Sequence, residues 1–354
     1  MEGIHSKKTA LKILSQTPVS VLDLATVVEG ESAGDALRRS LRMAQKAEAL
    51  GYTRYWFAEH HNMESVASSA TAVLIGYIAG GTSSIRVGSG GVMLPNHAPL
   101  IIAEQFGTLA SLYPSRIDLG LGRAPGTDPL TSYALRRNLK GDVDDFPNDV
   151  AELISYLGPK DPDARIRAVP GEGTEVPVWL LGSSMYSAQL AAVMGLPFAF
   201  ASHFAPTYLM EALELYKERF QPSKYLAEPY SMACVNVIAA DTDEEAAYLA
   251  TSFYQMALGM IRNKRRPLPP PVASMNGLWN EGERAAIANM THYAFVGSAP
   301  TVKTGLQSFL EGTGVDEIMI TSHVYSLEAK MRCYELIAAL FETKEANRDR
   351  QKNL

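Results

Sequence analysis

Eight short apolar runs, each followed by a segment with helical spacing, restrict this chain more than any other feature. The runs span 18–26, 53–58, 85–94, 116–121, 178–181, 198–202, 231–239 and 317–321. Most are nearly continuous in hydrophobicity rather than alternating, which is the pattern of strands covered on both faces, and such strands belong to parallel sheets. After the first run, Ser32 is placed to cap a helix. Leu37, Leu41, Ala44 and Ala47 then recur on one helical face, and Gly51 stands where a helix C-terminus favours glycine. Strand and helix in such alternation point to a closed parallel (β/α)8 barrel, with an open doubly wound sheet as the alternative.

Two insertions interrupt the repeat. After strand 4 and Arg123 come a Gly- and Pro-rich loop, a helix ending near Leu157 and an expected small hairpin around Pro170-Gly171-Glu172-Gly173. After strand 7 and Leu258, the run Pro267-Leu268-Pro269-Pro270-Pro271 excludes regular helix or a central strand. A single domain is expected over 1–354, with its core at about 18–342 and a charged tail at 343–354.

With 38 acidic against 32 basic residues the net charge is -6, so no excess of cations is available to neutralise nucleic-acid phosphates. The one basic cluster, Arg262 to Arg266, reads as a solvated loop. No apolar stretch is long enough for a bilayer and residues 1–16 lack a secretory pattern, so a cytoplasmic protein is expected. Cys234 and Cys333, far apart in sequence, read as small buried hydrophobes.

Within the third apolar run, Gly90 and Gly91 stand side by side. Strand interiors avoid glycine, so the pair marks either a bulge at a barrel corner or a place where a ligand lies against the main chain. Other unusual residues also follow strands, where a barrel of this kind carries its active site. Five of the seven histidines, His60, His61, His97, His203 and His323, fall at or just after strand ends.

A zinc hydrolase would gather histidines in this way, but the first strand offers only Asp23, and adjacent His60 and His61 point in different directions. No metal ligands are therefore expected. An anionic cofactor fits better. Leu180-Leu181-Gly182-Ser183-Ser184-Met185-Tyr186-Ser187 runs from a strand through glycine into a helix start, a natural phosphate site, with N-capping by Ser183 or Ser184 as the plainer reading. Arg123 is the available counter-charge. Gly120, Gly122 and Gly126 lack the spacing of a dinucleotide fingerprint, so electrons are expected to arrive on another carrier.

The runs Phe57-Ala58-Glu59-His60-His61, Val87 to Pro95, Ile117 to Arg123 and Pro177 to Ser184 resemble, in order, those of the bacterial luciferase-like flavin-dependent oxidoreductases. The resemblance covers nearly all of 18–341 and implies a TIM barrel binding FMN at its C-terminal face. It carries a non-proline cis peptide that supports the flavin onto Gly90-Gly91, and the FMN phosphate onto Arg123, Ser184 and Ser187, with Ser183 adjoining. Ser183 stands where some relatives have glutamate. His60 matches an acid/base or hydrogen-bonding residue beside the flavin, and His61 its support.

The resemblance further implies a monooxygenase. It would take reduced FMN from a separate flavin reductase, form a flavin hydroperoxide with O2, and oxygenate a small organic substrate. A homodimer is also implied. The alternatives are a deazaflavin-dependent oxidoreductase of the same superfamily and a flavin-binding protein without turnover.

Overall fold

The computed structural model describes residues 12–135 and 145–341. Nine parallel strands occur among them: β1 (Val19–Asp23), β2 (Arg54–Phe57), β3 (Arg86–Met93), β4 (Ile117–Gly122), β5 (Val178–Gly182), β6 (Phe198–Phe200), β7 (Ser231–Ala240), β8 (Ala294–Ser298) and β9 (Glu317–Thr321). Strands β1 to β7 pair in sequence, β7 pairs β9, and β9 returns to β1. The sheet is therefore a closed (β/α)8 barrel of eight strands, which rules out the open doubly wound alternative.

The ninth strand, β8, was not expected. It pairs only with the second half of β7, from Asn236 to Ala240, and so forms a flap on the barrel wall.

Helices cover the outside: α1 (Ala33–Leu50), α2 (Thr71–Gly80), α3 (Pro99–Leu112), α4 (Pro129–Leu135), α5 (Phe146–Leu157), α6 (Met185–Met194), α7 (Leu209–Arg219), α8 (Asp243–Ile261), α9 (Glu281–Met290), α10 (Ala299–Thr313) and α11 (Leu327–Ala338). Helix α1 begins at a capping box between Ser32 and Asp35 and ends at left-handed Gly51, as its sequence predicts. The insertions after β4 and β7 are both present. The hairpin expected at 170–173 is not: this stretch forms turns, with Glu172 N–H donating to Ala168 and Gly173 N–H to Gly158. Pro170 has no N–H to give to a ladder. The charged tail at 343–354 lies outside the described residues. No helix among the described residues is long and apolar enough to cross a membrane. Both cysteines are buried and free.

Side chains inside the barrel form layers. At the N-terminal end Arg54 is buried between Asp118, at 2.8 Å, and Glu317, at 3.1 Å, with its guanidinium 4.9 Å from the ring centre of Trp179. Arg86 also pairs with Asp118, so two cations balance two buried carboxylates. Burial raises the pKa of Asp118, but Arg86 and Arg54 outweigh it and hold the group at about 2. Above this floor lies an apolar layer that includes Leu22, Trp56, Trp179, Met232, Cys234 and Met319. The barrel mouth opens above that.

Candidate active site

Four of the segments singled out above converge at the mouth. The β3–β4 register passes from Ser89 opposite Leu119 to Val92 opposite Leu121, so Gly90 and Gly91 together face Gly120. This is a β-bulge, and the Gly90–Gly91 peptide is cis, the conformation the resemblance implied. A Cβ on Gly91 would lie 2.7 Å from the Gly120 carbonyl oxygen, and one on Gly120 would meet the Ser89 carbonyl oxygen at 2.2 Å. Both glycines are thus required for strands β3 and β4 to approach each other. The Ser89 hydroxyl fastens the bulge, donating to Gly120 O at 2.9 Å and accepting from Gly120 N at 3.0 Å.

His60 follows β2. One of its ring nitrogens, Nδ1, lies 3.2 Å from the Gly126 carbonyl oxygen. A carbonyl can only accept, so Nδ1 carries the proton and, in the neutral ring, Nε2 is left with the basic lone pair. Burial lowers the pKa of His60, assisted by nearby cationic Arg265 and opposed by the bond to Gly126. The ring is therefore neutral near pH 7, with Nε2 poised to take a proton.

His61 turns the other way. Its Nε2 donates to Glu59 Oε1 at 2.8 Å, and His97 Nε2 donates to the same oxygen at 2.9 Å. The second oxygen of Glu59 accepts the Met93 N–H at 3.2 Å. Burial alone would raise the pKa of Glu59, yet the bonds from His61 and His97, the charge on His97 and the Met93 amide bring it to about 2. Glu59 thereby ties the ends of β2 and β3 together. The ligand atoms of Glu59, His61 and His97 all lie within 4.8 Å of one another, close enough to converge on a cation. Hydrogen bonds within the cluster already use those atoms. His60 and His61 turn to different partners, Gly126 and Glu59.

The loop after β4 packs over this cluster. Thr127 donates to His61 O at 3.1 Å, Asn62 to Asp128 at 3.2 Å and Asn96 to Pro125 O at 2.8 Å. Gly120, Gly122 and Gly126 thus lead into a loop rather than a helix N-terminus, unlike a dinucleotide-binding turn.

On the β5 side of this same end of β4, register pairs Gly122 with Leu181, which brings Arg123 alongside Gly182 and Ser183. Arg123 forms no ion pair among the described residues, and its guanidinium lies 4.0 Å from the ring centre of Tyr186. Ser184 occupies the N-cap position of α6 but its side chain makes no capping bond, so the plainer reading of these serines does not hold. Ser187 is buried in the first turn, its hydroxyl where a Cβ on Gly182 would be. A cation on an aromatic face, hydroxyls and uncapped helix N–H groups together fit a phosphate.

Glu59, Tyr186 and Asn236 were not singled out from the sequence. Tyr186 had a signal in its place at the helix start. Asn236 had one as a polar residue inside the apolar run of β7.

The family model described as luciferase-like monooxygenase matches residues 17–317. A luciferase-like monooxygenase from Escherichia coli (strain K12) is 53% identical over 317 residues, covering 90% of this chain and 95% of that protein. Among solved structures, apo-MsnO8 is 34% identical with a TM-score of 0.81, covering 92% of this chain and 98% of its own. More distant structures share the fold. The oxygenating constituent of 3,6-diketocamphane monooxygenase from Pseudomonas putida, in complex with FMN, has TM-score 0.68 at 17% identity, covering 91% of this chain and 97% of its own. An F420-dependent secondary alcohol dehydrogenase with an F420-acetone adduct has TM-score 0.64 at 15% identity, covering 92% of this chain and 99% of its own. The chain belongs to the luciferase-like monooxygenase family.

Proposed function

We propose that this chain is an FMN-dependent monooxygenase, a cytoplasmic homodimer that receives reduced FMN from a separate flavin reductase and uses O2 to oxygenate a small organic substrate. The observation that carries the FMN reading is the pairing of Arg123, which has no carboxylate partner among the described residues, with the uncapped start of α6. A terminal phosphate satisfies both through charge-assisted hydrogen bonds. When bound, reduced FMN would supply two electrons. One oxygen atom enters the substrate and the other leaves as water.

The chain's own residues divide the remaining work. Arg123, Ser183, Ser184 and Ser187 hold the phosphate end. The bulged Gly90–Gly91 main chain forms the part of the barrel mouth where a flat ring is to lie. His60 Nε2 exchanges a proton with the reacting groups, its orientation held by Gly126, while Glu59 fixes His61 and His97 behind it.

Dimerisation is supported by helix α2, which is apolar nearly all round, and by its neighbour α3. Val73 and Leu112 remain 75% and 65% exposed, and Tyr77 and Ile101 lie on the same two helices.

Purified protein given FMN, O2 and NADH should oxidise negligible NADH, because no turn with dinucleotide spacing leads into a helix. Adding a flavin reductase should yield an oxygenated product that requires this protein. Rapid NADH oxidation by the isolated chain overturns the dependence on a reductase. Absorbance and mass of the cofactor retained on purification separate FMN from a deazaflavin.

A further inference from the structure

The top layer of the barrel interior contains polar atoms that no described residue satisfies. Along β7, Met232 and Cys234 face the interior with Trp56, Trp179 and Met319, and strand periodicity places Asn236 on the same face, one layer nearer the mouth. Asn236 is 2% exposed. Its amide nitrogen donates to the His203 carbonyl oxygen at 2.6 Å. That contact settles which end of the carboxamide is which, because an oxygen in its place would face another oxygen. Oδ1 is therefore an acceptor, sealed from water and without a partner. His203 Nδ1 and His323 Nδ1 are likewise unpartnered, and His323 is 6% exposed. The three residues are neighbours: β7 and β9 pair Asn236 with Thr321, two positions before His323, and His203 lies close enough to His323 and His60 for their protonation to be coupled. A buried carbonyl oxygen left without a donor forfeits the hydrogen bond it makes to water, so its retention calls for a ligand that supplies one.

We propose that Asn236 is a specificity-determining residue whose free oxygen, with His203 and His323 beside it, receives the hydrogen-bond donor of an uncharged group, a hydroxyl or amide N–H, on the organic substrate. The assignment to substrate rests on the monooxygenase reading above; the donor-seeking oxygen does not. The surroundings select against charge of either sign. An anion meets the carboxamide oxygen and two imidazoles that burial keeps neutral, the pKa of His203 lying at about 3 and that of His323 at about 4. An ammonium meets the cationic field of Lys330, which outweighs that of Asp23 at His323, and of Arg265, which outweighs that of Glu59 at His60.

The test uses four probes with a common tail, octanol, octanamide, octanoate and octylamine, titrated into the full-length protein with and without FMN. Binding is followed through tryptophan fluorescence, since Trp56 and Trp179 lie in the layer beneath. Octanol and octanamide should bind about tenfold or more tighter than the two charged probes. Asn236→Leu should remove most of that advantage. Asn236→Asp should shift preference toward octylamine, a gain that misfolding does not produce. Equal binding of octanoate and octanamide by the unaltered protein overturns the inference, and so does unchanged selectivity in both folded variants, the result expected if Oδ1 holds only a water molecule. FMN retention is read separately from flavin absorbance. A protein that sorts the probes yet holds no FMN keeps this inference and loses the flavin reading.

Discussion

Arg123 stacks on Tyr186 and forms no ion pair among the described residues, so no described carboxylate neutralises its charge. Arg123→Ala should therefore weaken FMN by roughly 1.5–3 kcal/mol, the range for a hydrogen bond to a charged group, and leave riboflavin affinity nearly unchanged. Isothermal titration with the two flavins checks this. Equal losses would show that Arg123 does not read the phosphate. The His60 prediction concerns coupling instead of affinity. With Nδ1 committed to Gly126 and Nε2 basic, His60→Ala should keep FMN affinity within about threefold while product falls and the electrons appear as hydrogen peroxide. A purely structural His60 predicts lower stability with normal product yield. Arg123, His60 and His61 were legible because each stands at a strand end in a barrel pattern. Glu59 was less so, because its role depends on His97, which is distant in sequence and reaches the same oxygen only through the β2–β3 pairing.

Among the elements, β3 and β4 show what a glycine pair means once its neighbours are known. From the sequence, Gly90-Gly91 admits a bulge or a bare surface for a ligand. The bulge is present, and Gly91 is committed to β4: its Cβ would strike the Gly120 carbonyl oxygen at 2.7 Å, a main-chain atom that cannot swing aside. Gly91→Ala should then cost about 1–3 kcal/mol of stability through overpacking, and Gly91→Val more. Urea unfolding of the flavin-free proteins tests this. Unchanged stability would return the glycine to a role in the ligand surface alone. The barrel strands could be read because burial on both faces makes them almost wholly apolar. Strand β8 could not, since it is mostly half-buried and, among the described residues, pairs with β7 alone. The Gly-rich stretch at 170–173 misled because the same residues punctuate hairpins and plain turns.

For the whole molecule, the way charge is buried predicts an acid-labile protein. Burial lowers the pKa of His203 to about 3 and of His323 to about 4, from 6.5 for an unperturbed group. The unfolded chain therefore binds protons at these positions as pH falls below about 6.5 while the folded chain does not, and stability declines with pH from that point. At pH 5 the two histidines together should remove on the order of 4 kcal/mol. Glu59 and Asp118 act lower down. Their folded values of about 2 lie below the ordinary 4.5 and 3.8, so the stability they contribute is complete above those values and is lost as pH falls toward 2. Urea midpoints measured from pH 8 to pH 4 should be flat above about 7 and then fall. His203→Asn combined with His323→Asn should flatten most of the decline between about pH 6.5 and 4.5 and leave the carboxylate-driven loss below it. An undiminished decline in the double variant would assign the upper part of the curve to other groups. The two histidines that hold the barrel mouth neutral for an uncharged ligand would then not be what limits the fold in acid.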